Sequence, residues 1–457
     1  MSYVSRVLFA SGIGEVASAT NIASYFTVLA ALGLPTYGTK AIAACTNDSS
    51  TNETFWDLIA VNVISTIFFS VAYYTLIFTH PFFKEQMLLF SVVGLAIVFN
   101  AINVDWFYQG KEEYGYITLR SFVIKILSLI AIFVFVKTRE DVVRYALILT
   151  LSNVANYVFN IIHIRKFISW PKQKIDIRSH LKPILLLLSA SIIIELYTMV
   201  GTTLLTIFSQ SESVGYFSNS MTIIRVVRTL VTAVSAVFLP RLSFYYHSGR
   251  QSEFEELIDK GLKILLFLTV PAAAGVCLVA SDAVLLLFGD SFYGSIISVR
   301  ILSLSIVTIA ISNFIGYQVF ITIGKEYLMV YSTIVGATIN ITLNLLLVNT
   351  LDYVGIALAS ALAELSVAAY QVYYLKKMSL LAMQKIYLMK ITGAVIIMML
   401  AIILCQRLCD NLVIRLILSV IIGAITYFAS SFLYKIDIAN QLITRFVASK
   451  FIQHRKS

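Results

Sequence analysis

Five ionisable residues fall at the centres of long apolar runs: Lys125, Glu195, Arg225, Arg228 and Glu364. An ionised side chain at the middle of a hydrocarbon layer costs about 3 kcal/mol or more, so such residues mark hydrated, functional interiors by default. Arg225 and Arg228 stand three residues apart, which puts both on one helix face. Their planar donors suit phosphate oxygens better than an ammonium does, and Lys125 is a third cation from the other half of the chain. Glu195 and Glu364 admit two other roles. They could form structural ion pairs, Glu195 with Arg225 and Glu364 with Arg228, or carry a coupling proton or cation. Three cations against two acids leave one positive charge unmatched.

A second group, Asp105, Lys111 and Arg120, sits near run ends, where long side chains reach the interface at little cost. These residues are candidates for a gate or a headgroup contact, and Lys40 and Arg241, each closing a Gly-led run, join them. Arg300 and Arg415 lie near the opposite ends and read as anchors. Histidines are scattered and loop-borne, so no metal site is expected. Cys405 and Cys409 are one turn apart in an apolar run and read as core. No Gly-rich loop leads into Lys-Ser/Thr, which argues against ATP hydrolysis, and neither a catalytic residue nor a cofactor is indicated.

The elements that must position these groups are membrane-spanning helices. The 457 residues are 59% hydrophobic and 13% charged, with a mean hydropathy of +0.87; a soluble domain is roughly half apolar and a quarter charged. Thirteen apolar runs are each long enough to cross a bilayer. The net charge of +10 reads as a topology signal and not as a nucleic-acid footprint. Alternating the loops assigns 22 of the 34 Lys and Arg residues to the side of the basic loop Ile162–Lys182 and six to the other. That loop is therefore expected in the cytoplasm, together with the C-terminus.

The chain also repeats. Ile13–Lys40 aligns without a gap on Val214–Arg241 at an offset of 201, Gly110-Lys111-Glu112 matches Gly324-Lys325-Glu326, and Arg165-Lys166 matches Lys376-Lys377. Three matches in one order imply a parallel repeat. The expected organisation is an N-terminal bundle (1–162), a cytoplasmic basic linker (163–182), a C-terminal bundle (183–377) and two further helices with a tail (378–457). The two bundles are expected to be pseudo-symmetric around a central cavity. The counterpart of Leu181–Phe208 would end near Val7 and begin before Met1, so the first half is expected to lack its first helix.

The chain resembles the bacterial polysaccharide and oligosaccharide flippases, relatives of the multidrug exporters of the MATE type and of the lipid II flippase. The resemblance is carried by Tyr3-Val4-Ser5-Arg6-Val7-Leu8, Tyr37-Gly38-Thr39-Lys40, Val214-Gly215-Tyr216-Phe217, Leu239-Pro240-Arg241-Leu242-Ser243 and, most specifically, the block Asp105-Trp106-Phe107-Tyr108-Gln109-Gly110-Lys111-Glu112-Glu113-Tyr114. It departs at Gly201, where many members have an acid, and at the leader and first helix. The resemblance implies a fourteen-span pattern and an inner-membrane protein that flips undecaprenyl-pyrophosphate-linked oligosaccharide repeat units for surface polysaccharide synthesis. A polysaccharide polymerase and a chain-length regulator would be further partners. Arg225 and Arg228, with Lys125, would then hold the pyrophosphate. The rival readings are an ion-coupled drug or metabolite antiporter of the same fold and, more weakly, a membrane glycan polymerase or glycosyltransferase. The longest outward loop, Ser281–Ile297, carries only Asp282 and Asp290, too little for such an enzyme.

Overall fold

The computed structural model describes residues 2–171, 175–381 and 385–438, and all regular structure among them is helical. Hydrocarbon offers no hydrogen-bond partner, so a spanning segment must satisfy its own backbone, and a helix does so within the segment. Among the described residues nine helices are long and apolar enough to cross a membrane, or ten if Ser295–Ser303 and Ser305–Phe320, bent by 40°, form one span. Met87–Ile102 is apolar but shorter. The protein is a multi-pass, all-helical membrane protein.

The chain divides into two compact units, Tyr3–Gly215 and Tyr216–Ser457. The first contains α1 (Ser2–Ala31), α2 (Leu34–Ala43), α3 (Asp48–Thr79), α4 (Met87–Phe99), α5 (Asp105–Gly110), α6 (Tyr114–Phe135), α7 (Val142–Ile164) and α8 (Arg178–Phe208). The division follows α8, which the repeat assigns to the second half. A polar zipper holds α8 to α1. The Thr203 hydroxyl donates to Asn21 Oδ1 at 2.7 Å, Asn21 Nδ2 donates to the Met199 carbonyl at 3.2 Å, and Thr206 donates to Ser18 Oγ at 3.0 Å. Helix α1 is interrupted at Phe9 (φ 56, ψ −176). The guanidinium of Arg139 lies 3.5 Å from the centroid of the Phe9 ring, and the Tyr3 hydroxyl donates to the Val136 carbonyl at 2.8 Å.

Beyond this break α1 meets the start of α9 (Ser211–Ala236) at backbone contact. A Cβ on Gly14 would stand 1.6 Å from the Ser211 carbonyl oxygen, and one on Gly215 would stand 2.1 Å from that of Ala10. Both residue pairs obey the offset of 201, so the contact is reciprocal, the geometry of an isologous interface. The linker is fastened to α3. The backbone N–H groups of Ser169 and Asp176 donate to Asn52 Oδ1 at 2.9 Å and Asp57 Oδ1 at 2.8 Å, and Trp56 Nε1 donates to the Ser169 carbonyl at 2.8 Å. Two of its expected cations, Lys172 and Lys174, lie outside the described residues.

The second unit holds most of α9, then α10 (Leu239–His247), α11 (Gln251–Phe288), α12 (Ser295–Ser303), α13 (Ser305–Asn313), a π-helical stretch Phe314–Phe320, α14 (Glu326–Lys377), α15 (Lys385–Leu408) and α16 (Leu412–Leu433). At 52 residues α14 is roughly 78 Å of helix, more than twice a hydrocarbon core, and it breaks at Asp352 (φ 50, ψ −134). The last two helices pack on α11. Tyr387 and Tyr427 donate their hydroxyls to the carbonyls of Lys263 and Phe267, both at 2.8 Å. Arg415, expected to be an anchor, instead makes a two-point ion pair with the buried Asp282, Nε to Oδ2 at 2.9 Å and Nη2 to Oδ1 at 2.6 Å.

Removing one partner of a buried pair strands the other charge and costs about 3–5 kcal/mol, whereas an exposed pair contributes about 1 kcal/mol or less. Arg415→Ala should therefore lower the thermal unfolding midpoint of the detergent-solubilised protein markedly. Arg250→Ala, which breaks the exposed Arg250–Glu253 pair, should leave it nearly unchanged. Equal shifts would show that the Asp282 pair does not hold α16.

Candidate functional site

The polar groups of the first unit converge where α4 gives way to α5. The chain leaves α4 through a 3₁₀ turn at Asn100–Ile102 and re-enters helix at Asp105. Freed from regular pairing, this stretch is held by side chains. Asn62 Nδ2 on α3 donates to the Asn100 carbonyl at 2.7 Å, and Asn100 Nδ2 returns a bond to Asn62 Oδ1 at 3.2 Å. Asn103 Oδ1 accepts from the Asp105 backbone N–H at 3.2 Å, fixing the start of α5.

Asp105 and Arg120, two of the expected gate residues, are brought together: Arg120 Nη2 stands 3.1 Å from Asp105 Oδ1. Asn160 of α7 completes the cluster. Its Nδ2 donates to Asp105 Oδ1 at 2.6 Å, its Oδ1 accepts from Arg120 Nη1, and its carbonyl accepts from the Tyr108 hydroxyl at 2.8 Å. The Arg120 guanidinium also lies 5.6 Å from the Tyr116 ring centroid. Arg120 is only 8% exposed, and its Nε has no partner among the described residues. A guanidinium so buried and so occupied is out of reach of a lipid headgroup. The arrangement ties α5, α6 and α7 together.

Lys111 is not part of this cluster; its ammonium donates to Thr51 Oγ1 at 3.3 Å. Lys40 on α2 and Arg241 on α10 are exposed. Lys125 is exposed on α6 among Phe122, Ile126 and Leu129, which are exposed as well. Glu195 on α8 is half-buried and accepts from the Thr198 hydroxyl at 3.3 Å. Glu364 on α14 is half-buried.

In the second unit, Arg225 and Arg228 are both exposed on α9, and within that unit neither forms an ion pair with a described residue. Ser218, Thr222, Arg225, Thr229 and Thr232 recur at four- and three-residue spacing and make one polar face. The hydroxyls of Thr222 and Thr229 donate back to the carbonyls of Ser218 and Arg225 at 3.1 and 2.9 Å. A different exposed face carries Val226 and Leu230. Helix α9 thus has one apolar exposed side and one polar side. Among the described residues no group of three or more His, Cys, Asp or Glu could hold a metal ion.

Sequence reasoning found Asp105 and Arg120 but missed Asn160. The signal in the sequence was Ser152, Asn156 and Asn160 at four-residue steps in an apolar run, a polar stripe that hydrocarbon would not tolerate without partners. The cluster can be tested by a double-mutant cycle read as thermal stability. Arg120→Gln alone should cost about 1–3 kcal/mol, because Asp105 loses its ionic partner but stays partly solvated and bonded to Asn160. Adding Asp105→Asn should recover part of that loss, a coupling of roughly 0.5–3 kcal/mol. Additive losses would show that the pair is not the link among the three helices.

The fold has close solved counterparts. It aligns with the lipid II flippase MurJ in an inward closed conformation at a TM-score of 0.71 and 16% identity, over 96% of this chain and 100% of that one. An inward-facing multidrug resistance MATE family transporter of the MOP superfamily aligns at 0.60 and 15% identity, over 83% of this chain and 94% of that one. In sequence the chain is 25% identical over 330 residues to a protein of Escherichia coli K12 provisionally named an O-antigen transporter, covering 70% of this chain and 78% of the relative. The family model for polysaccharide biosynthesis proteins matches residues 1–245, more than half of the sequence, and the chain belongs to that family.

Proposed function

We propose that this protein flips undecaprenyl-pyrophosphate-linked oligosaccharide repeat units across the bacterial plasma membrane by alternating access. The product would feed surface polysaccharide such as O-antigen, capsule or exopolysaccharide. The observation that carries this reading is the Arg225–Arg228 face of α9: two exposed guanidinium groups, without an ion-pair partner among the described residues of their unit, on a helix whose other exposed face is apolar. Two such cations in contact with lipid would cost several kcal/mol, and a hydrated path beside them removes that cost. A pyrophosphate supplies the anionic oxygens that planar donors bind at two points. The family and the name of the Escherichia coli relative support the same cargo class.

Lys125 of the first unit is proposed as a third contact, and Glu195 and Glu364 as acids that balance or couple the charge. Asp105 and Arg120 are read as a fixed brace of the first unit, not as a moving gate. Lys111, Lys40 and Arg241 remain candidates for the cytoplasmic mouth. The basic linker and the C-terminal tail are read as cytoplasmic; the tail, 439–457, lies outside the described residues. An antiporter for cationic drugs is disfavoured, because a face whose charges are two arginines repels a cation.

In cells lacking the chromosomal copy, Arg225→Ala and Arg228→Ala should each cut surface glycan about tenfold or more at unchanged protein level. Arg225→Lys should retain more activity than Arg225→Ala. Normal glycan export in both alanine variants would remove the α9 arginines from the mechanism.

A further inference from the structure

Between the first turns of α3 and the chain that follows α7 lies a cavity of about 740 Å³, within the roughly 300–1,000 Å³ range of small-molecule sites. Its walls are fixed in place. Asn52 and Trp56 clasp the backbone of Ser169, and Asp57 clasps that of Asp176, so three side chains over two turns of α3 set the height of the linker above the helix.

The lining combines two aromatic side chains, Trp56 and Phe167, with the amide of Asn52, the carboxylates of Asp48 and Glu53, and the cations Arg165 and Lys166. None of these four charged groups forms an ion pair with a described residue. Asn52 uses its carbonyl oxygen on Ser169, and its N–H groups have no described partner. A divalent cation does not fit, because no group of three potential ligands converges among the described residues. A polyanion or an anionic membrane surface does not fit the described lining residues either, since among them four carboxylates, including Asp57 and Asp176, outnumber the two cations. What remains is a polyhydroxylated molecule with one anionic end. Carboxylates and amides accept and donate to sugar hydroxyls, an indole face stacks against the apolar face of a sugar ring, and Arg with Lys holds a phosphate.

We propose that this cavity is a loading site for the saccharide of a phosphorylated glycan headgroup, engaged at the linker side before the headgroup reaches Arg225 and Arg228. The sugar ring lies on Trp56, its hydroxyls meet Asp48, Asn52 and Glu53, and its phosphate lies toward Arg165 and Lys166. This assignment rests on the transport reading above and on the linker facing the cytoplasm.

The full chain in lipid nanodiscs, carrying Trp170→Phe, reports on the site through indole fluorescence, since the remaining Trp106 is buried. The probes are glucose 1-phosphate, galactose 1-phosphate and N-acetylglucosamine 1-phosphate, with the free sugars and inorganic phosphate as controls. At least one sugar phosphate should give a saturable change. Glu53→Gln, which breaks no bond to the linker, should weaken that change about tenfold. Arg165→Ala with Lys166→Ala should erase the preference over the free sugar. No response to any sugar phosphate, an equal response to inorganic phosphate alone, or full affinity in Glu53→Gln would each overturn the proposal. The fluorescence response should survive in Arg225→Ala, while normal glycan export in that variant would overturn the transport reading alone.

Discussion

A bilayer core cannot hydrogen-bond, and most of this structure follows from that. Every polar group carried into it must find its partner within the chain. The backbone does so within its helices. Hydroxyls do so by folding back on the carbonyl one turn earlier, as Thr222 and Thr229 do on α9. Charges do so in pairs, Asp105 with Arg120 and Asp282 with Arg415. Where a charge at the centre of an apolar run is exposed and has no partner in its unit, the rule has a reason to be broken. Arg225 and Arg228 are such residues, and the functional reading starts from them.

The two units meet the same demand with different chemistry at matching places in the repeat. In the first unit the chain breaks helix at Asn100–Ile102, and an ion pair bridged by Asn160 secures the neighbouring helices. An offset of 214, that of the Gly-Lys-Glu match, carries this break onto the π-helical stretch Phe314–Phe320. There the buried polar contact is neutral: Gln371 Nε2 donates to Ser332 Oγ at 2.9 Å, and the side-chain oxygens of Gln318 and Gln371 have no partner among the described residues. The first unit is braced by charge where the second keeps a widened helix and unused acceptors. Widened turns of this kind are common where helices serve function.

The helices were legible because a hydrophobic run of about 20 residues matches the thickness of a hydrocarbon core. Charges inside runs could also be located, but their partners could not. Asp105 and Arg120 are fifteen residues apart and Asp282 and Arg415 are 133 apart, and only the packing of one helix against another brings either pair into contact. Arg415 shows the limit well. Near a helix end it has the position of a headgroup anchor, and what distinguishes it is a carboxylate on α11 that no local pattern announces. Asn160 was missed for a related reason: an asparagine has no charge to draw attention, yet it bridges both members of the buried pair.

The crossing at Gly14 and Gly215 bears on how the chain can change over evolutionary time. When two side chains collide, a smaller residue on one helix can make room for a larger one on the other. Here the obstructing atoms are the carbonyl groups of Ser211 and Ala10, which belong to every amino acid alike. No substitution opposite can accommodate a methyl group at either glycine. Because the contact is reciprocal, the constraint falls twice, at positions 201 residues apart. At this crossing each glycine is held by the backbone facing the other, so a change at either would require the helices themselves to move apart.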